Sequence, residues 1–218
     1  METPVSLRDR KKAKLREALT SAAYRLFLKK GYAATTLEDI SQKCRVTVPT
    51  LLRYFGSKED LLFHRQADIL AAFKQQLAAA VSKKSSMRFF VEFIHENSVR
   101  LDRSAETRNI YRIIRGVPAL LSKFHSIIRQ YEEALEAALS AEVGVKAGED
   151  LHATLIAHLL TAGLITESLR IIERAPAAAL AARNDAVADY IVTNFKRPRR
   201  QGSRRDAHDR VMKRADRV

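Results

Sequence analysis

Apolar residues Leu15, Leu19, Ala22, Ala23, Leu26 and Phe27 recur three and four positions apart, which places them on one face of an amphipathic helix, and Gly31 can cap its C-terminus. Thr36 followed by Asp39 is a capping pattern that opens a short second helix through Cys44. Thr47 caps a third, running to about Tyr54, with Pro49 tolerated in its first turn. Ser57 with Asp60 starts a fourth helix, in which Leu62, Ile69, Phe73 and Leu77 keep helical spacing to about Val81. Beyond it the pattern predicts helices over 86–102, 105–115, 118–141, 149–173 and 178–195, broken by Ser82 to Ser86, Gly116-Val117-Pro118, Gly144 to Gly148 and Pro176. No segment sustains the alternation of a strand. The expected fold is all-α, with about nine helices: a three-helix unit at the N-terminus and a larger helical domain behind it.

The segment 149–173 carries Leu151, Leu155, Ile156, Leu159, Leu160, Leu164, Ile165, Leu169, Ile171 and Ile172, apolar on most faces. Such a helix must be buried all round, in its own core and against a second surface. Val187, Tyr190, Ile191 and Asn194 follow at helical spacing, so the last two helices are expected to hold surplus apolar surface. Leu155, Leu159, Ala162, Val187, Tyr190 and Ile191 are the candidate dimer contacts.

Charge sharpens the division. The net charge is +14, and it splits as +7 over residues 1–56, zero over 57–195 and +7 over 196–218. A neutral body between basic ends points to a polyanion-binding surface near the N-terminus rather than to a uniformly basic protein. The last 23 residues are rich in Arg, Lys and Asp with almost no large apolar residues, a composition expected to be disordered. The predicted organisation is an arm over 1–7, a helix-turn-helix domain over 8–56, a linking helix over 57–81, a ligand-binding and dimerisation domain over 82–195 and a basic tail over 196–218.

One cysteine, Cys44, rules out an intrachain disulfide framework or a cysteine-based metal cluster. No run reaches the 18 or more uncharged apolar residues of a membrane span, and the expected location is cytoplasmic, with no membrane partner. The chain has no Gly-x-Ser-x-Gly elbow, phosphate-binding glycine loop, His-Glu-x-x-His pair or nucleophilic-cysteine context, so an enzyme is not expected. His152 and His158 stand six apart on different faces of one helix with no metal-ligand pattern beside them. No metal and no cofactor are expected.

Two short helices joined by a tight turn, after a longer packing helix, form the helix-turn-helix arrangement, whose second helix fits the DNA major groove. Gly31-Tyr32, Thr35-Thr36-Leu37, Asp39-Ile40-Ser41, Val46-Thr47, Thr50-Leu51, Tyr54-Phe55 and the run Ser57 to Leu62 resemble, over about fifty residues, the DNA-binding domain of the TetR family of bacterial regulators. Ile40, Val46, Leu51 and Phe55 read as the inward residues that lock the short helices. Thr36 and Thr47 cap helix N-termini whose free N–H groups can face phosphate oxygens. Outward on the recognition helix lie Val48, Pro49, Leu52 and Arg53, and Arg can pair bidentately with guanine or clamp a phosphate. The resemblance implies DNA contact at Thr47, Val48, Pro49, Thr50, Leu52, Arg53, Tyr54 and Lys58.

The chain departs from the family pattern twice. Arg45 stands where the family usually has Gly, losing free access to positive φ but offering a phosphate contact, and Leu52 stands where a Tyr is common. Leu52 can at most touch a thymine methyl.

For the larger half, the resemblance implies a dimer built on the last two helices and a diverged effector site. Segment 118–173 has a fainter resemblance to the subgroup that binds acyl-CoA-like ligands. The central helices carry Phe89, Phe90, Phe93, His95, Tyr111, Phe124, His125 and Tyr131, an aromatic set with sparse polar tips. Phe89, Phe93, Tyr111, Phe124 and His125 are the candidate pocket residues, the last four expected beside the C-terminal half of the linking helix. The functional expectation is a homodimeric repressor that binds a palindromic or near-palindromic double-stranded operator and is released by a small apolar or amphipathic effector. The alternative is an architectural or protein-recruiting DNA binder of the same fold with no small-molecule ligand, which would have a filled core among these helices.

Overall fold

The computed structural model describes residues 6–80, 85–174 and 179–195. Among these the chain forms nine α-helices and no strand: α1 Leu7–Lys30, α2 Leu37–Lys43, α3 Val48–Tyr54, α4 Lys58–Ala80, α5 Ser86–Arg103, α6 Ala105–Gly116, α7 Pro118–Ala141, α8 Leu151–Arg174 and α9 Ala179–Asn194. The break at Pro176 and the basic tail over 196–218 lie outside the described residues. Among the described residues no helix is long and apolar enough to cross a membrane.

The boundaries follow from local chemistry. Thr36 and Asp39 form a full capping box on α2, each side chain bonding the other's backbone N–H at 3.1 Å. The Thr47 hydroxyl accepts from the Thr50 N–H at 3.3 Å with Pro49 in the first turn of α3, and the Ser57 hydroxyl accepts from the Asp60 N–H at 3.0 Å to open α4. Gly31 ends α1 at φ 86°, a conformation that costs other residues dearly. At the other end, α1 reaches back to Leu7, because Ser6 accepts from the Asp9 N–H at 3.1 Å. The exposed basic residues Arg8 to Lys14 therefore all stand on helix.

One core runs through the molecule. Leu19, Ala23, Tyr24 and Phe27 of α1 close over Ile40, Leu51 and Phe55 at one end, and Phe73 of α4 anchors the other. Phe73 is fully buried, and the rings of Phe89, Phe90, Phe93 and Tyr131 surround it at 4.9–5.9 Å. Truncating a ring so enclosed costs about 3–5 kcal/mol. Helix α4 contacts α1, α5 and α7, so it belongs to both ends of the core.

Candidate functional site

Helix α3 shows its outer face to solvent. Pro49, Leu52 and Arg53 are exposed, and Val48, Thr50 and Tyr54 are half-buried, while Leu51 and Phe55 turn inward. Thr36, Arg45 and Thr47 are exposed as well. Arg45 is the described non-glycine residue with positive φ, at 55°. The turn holds it there, since the Val46 N–H reaches the Ser41 carbonyl at 3.0 Å and the Arg45 N–H reaches Gln42 at 3.1 Å. The turn keeps the geometry that suits glycine, with an arginine imposed on it.

Lys58 is more engaged than its place in the motif implies. Its ammonium donates to the carbonyls of Tyr32 and Thr35, both at 2.9 Å, and lies 4.3 Å from the centre of the Tyr32 ring. Two of its three donors are thus used within the domain. Arg16 is a contributor that periodicity did not single out. From α1 it donates to the Tyr54 carbonyl at 3.3 Å, at the C-terminal end of α3, and its guanidinium covers the Phe55 ring at 4.9 Å. A cation there suits the negative end of the helix dipole and fixes where α3 ends. The start of α1 runs beside the same end of α3, so that Arg8, Lys11, Lys12 and Arg53 line one cleft. That assembles a basic surface from two elements far apart in sequence. Cys44 is half-buried with its Sγ 3.6 Å from the Ala18 carbonyl, and burial pushes its thiol up, away from reactivity.

The larger half encloses a cavity of about 540 Å³, within the range of small-molecule sites. Phe124, Ile127, Ile128 and Tyr131 supply one face of α7, at the i, i+3, i+4, i+7 spacing that puts them in line. Phe93, Ile94, Asn97 and Ser98 come from α5, and Thr107, Ile110 and Tyr111 from α6. The remaining wall is Arg65, Gln66, Asp68 and Ile69 of α4 with Tyr24 of α1, Arg100 of α5 and Ser104. Tyr24 also fastens the two helices, its hydroxyl donating to the Leu62 carbonyl at 2.8 Å. Arg65 lies over the Tyr24 ring at 4.8 Å, bonds Glu17 of α1 at 2.9 Å and approaches Glu106 of α6 at 3.8 Å.

Of the residues expected to form the pocket, Phe93, Tyr111 and Phe124 line the cavity, whereas Phe89 and His125 do not. His125 is exposed, because it stands about 100° round α7 from Phe124. Phe89 lies one turn before Phe93 and stacks on it, filling space against Phe73. That aromatic cluster also corrects the expected position along the linking helix. The space beside the C-terminal half of α4 is filled with rings, and the cavity opens against Arg65 to Ile69 nearer its N-terminus.

Helices α8 and α9 pack together with Ala153, Ile156, Ala157 and Leu160 turned inward. Leu155 and Tyr190 are 51% and 65% exposed, joined by Leu151 and Phe195, while Leu159, Ala162 and Val187 are half-buried. Ile191 is a correction: it is buried within the subunit, opposite Gly163, where an added Cβ would stand 3.6 Å from its Cδ1. Ala188 and Ile191 share the inward face of α9, and Tyr190 points the other way. His158 is exposed and pairs with Glu132 at 3.2 Å.

Residues 19–64 match the model of a family described as bacterial regulatory proteins, tetR family. The HTH-type transcriptional regulator HbdR of Aromatoleum sp. (strain CIB) is 34% identical over 62 residues, 28% of this chain and 27% of that protein. TcmR of Streptomyces glaucescens, also an HTH-type transcriptional regulator, is 26% identical over 157 residues, 69% of this chain and 70% of its own. The match to HbdR thus spans about a quarter of that relative's length. Among solved structures, a complex of SmeT with triclosan aligns at a TM-score of 0.63 and 17% identity, covering 87% of this chain and 98% of that one. SmeT is described as the repressor of the Stenotrophomonas maltophilia multidrug efflux pump SmeDEF. FadR of Bacillus subtilis with stearoyl-CoA aligns at 0.59 and 19%, covering 81% and 97%.

Proposed function

We propose that this chain is a member of the tetR family of bacterial regulatory proteins and a dimeric repressor that a small apolar or amphipathic effector releases from its operator. The observation that carries this reading is the cavity, because its wall includes Tyr24 of the DNA-binding unit as well as α4, α5, α6 and α7. A filled core would have suited a DNA binder without a ligand. The fold likeness to SmeT and FadR, whose structures hold triclosan and stearoyl-CoA, supports an effector of apolar character.

DNA contact is assigned to Thr36, Arg45, Thr47, Val48, Pro49, Thr50, Leu52, Arg53, Tyr54 and Lys58, with base reading centred on Arg53. The basic start of α1 supplies sequence-independent affinity. Two subunits joined through the exposed faces of α8 and α9 place two recognition helices about 34–36 Å apart, one turn of DNA. Occupying the cavity moves α4 relative to α1 and changes that spacing. A ligand can shift the balance only by its preference for one spacing, so a coupling of about 1–3 kcal/mol is expected. The test is to sequence the genomic fragments retained by the purified protein. Fragments sharing a two-fold-related motif with half-sites one helical turn apart support the reading, and retention without any shared motif overturns it.

A further inference from the structure

Gln66 differs in its hydrogen bonding from the apolar side chains around it. It is 6% exposed, it lines the cavity from α4, and its Oε1 is shut off from solvent without a hydrogen-bond partner. Its amide nitrogen side is occupied by Tyr111, whose phenol is pushed up by burial, with the Gln66 hydrogen bond opposing. A buried carbonyl oxygen left unpaired costs free energy that is recovered as soon as a donor reaches it. The terminal torsion of a glutamine is soft, so small rotation about it can present the oxygen to the cavity.

The other uncharged polar side chains of the wall are engaged within the protein, Asn97 and Ser98 donating to the Phe93 and Ile94 carbonyls and Ser104 pairing with Thr107 at 2.7 Å, which leaves that donor as the distinctive polar requirement. Phe93, Ile110, Phe124 and Ile127 are buried and apolar. The charged residues of the lining already have partners or stand in solvent: Arg65 is held by Glu17 and Glu106, Asp68 faces His64 at 3.5 Å, and Arg100 is exposed. An anionic headgroup pushed against the Gln66 oxygen would meet a like partial charge, with Arg65 already held by Glu17 and Glu106 and Arg100 out in solvent, and would lose its hydration.

Resting on the reading of this cavity as the effector site, we infer that the effector is a neutral, largely apolar molecule carrying a hydroxyl or N–H donor, and that Gln66 selects it. A site built to bond a donor rejects the analogue lacking it far more strongly than an apolar wall rejects a size change. Removing the amide therefore abolishes the discrimination while leaving the cavity.

The test uses the full chain and three matched probes, 2-naphthol, 2-methoxynaphthalene and 2-naphthoate, with affinities measured by calorimetry at neutral pH. The parent is expected to bind 2-naphthol at least about tenfold more tightly than either of the others. Gln66→Met should bring 2-naphthol and its methyl ether within about twofold of each other. Equal binding of naphthol and ether to the parent, tighter binding of naphthoate, or an unchanged preference in Gln66→Met overturns the inference while leaving an apolar effector site in place. Failure of all three probes to bind the parent overturns the inference and the effector reading together.

Discussion

Arg65 of α4 bonds Glu17 of α1 at 2.9 Å across 48 residues of sequence, at the edge of the cavity that both the sensor and the DNA-binding unit enclose. The same guanidinium approaches Glu106 of α6 at 3.8 Å. One side chain therefore ties α1, α4 and α6 at the wall of the cavity. Arg65 and Glu17 are substantially exposed, at 36% and 60%, so the pair stabilises the fold by less than about 1 kcal/mol.

Arg65→Met is therefore expected to leave the melting temperature almost unchanged and to reduce severalfold the effect of a bound ligand on operator affinity. The Glu17 carboxyl is raised by partial burial but held below its ordinary value overall by its bonds to Arg65 and Ser21. The tie is complete above the ordinary carboxylate range and is lost as pH falls through the lowered value. Fluorescence anisotropy on operator DNA, with and without ligand, measures the response. A full parental response in folded Arg65→Met would remove the tie from the coupling path.

Arg45 carries a positive φ of 55° in the turn before α3. Arg45→Gly relieves strain of about 1–2 kcal/mol, offset in part by the greater freedom of glycine in the unfolded chain, for a net gain of under about 1 kcal/mol. The same change removes a cation from the DNA face. Thermal unfolding should show a small rise in melting temperature while operator affinity falls at every sequence tested. A stable variant with undiminished affinity would show that Arg45 serves the turn alone.

The DNA contacts proposed for Arg53 and for the first turns of α1 are separable by experiment. Arg53→Ala should change base preference at one position in each half-site, at a cost of about 1–3 kcal/mol. Replacing Arg8, Lys11 and Lys12 by Ala should weaken all sequences alike and flatten the salt dependence by about 0.9 per lost phosphate contact. Selection from a randomised half-site library, repeated at two salt concentrations, separates the two effects. Unaltered base preference in Arg53→Ala would place reading elsewhere on α3.

On α8 and α9, Leu155 and Tyr190 face outward whereas Ile191 lies inside the subunit. Leu155→Glu with Tyr190→Glu should give folded monomers, and Ile191→Glu should unfold the protein by burying an unpaired charge. Light scattering with circular dichroism reports both. A dimer that survives the first pair would move the interface off these helices.

Helix ends were legible because capping is local: Thr36 with Asp39, Thr47 with Thr50, Ser57 with Asp60 and Gly31 with its carbonyl partner all act within three or four residues. The inward residues of the DNA-binding unit were legible for the same reason, since helical spacing alone separates Leu51 and Phe55 from Leu52 and Arg53. Spacing does not say how a helix is rotated against its neighbours. Hence His125 and Phe124, adjacent in sequence, fall on different sides of α7, and Ile191 turns inward where Tyr190 does not. Arg16, Arg65 and Gln66 gave no sequence signal because each acts through a tertiary partner: Tyr54, Glu17 and Tyr111 are 38, 48 and 45 residues away. The side of α4 that meets the cavity was misplaced because the Phe73 cluster fills the space the aromatic count had assigned to a ligand.

The most direct test of the account is the operator dissociation constant of the full chain, measured by anisotropy with the cavity empty and with it saturated by 2-naphthol, calorimetry having established occupancy. The account predicts a rise of about 5–150-fold, the range that a coupling of about 1–3 kcal/mol produces. It also predicts that Phe93→Ala with Phe124→Ala removes the rise while leaving ligand-free operator binding intact. An unchanged dissociation constant with the cavity fully occupied would contradict it.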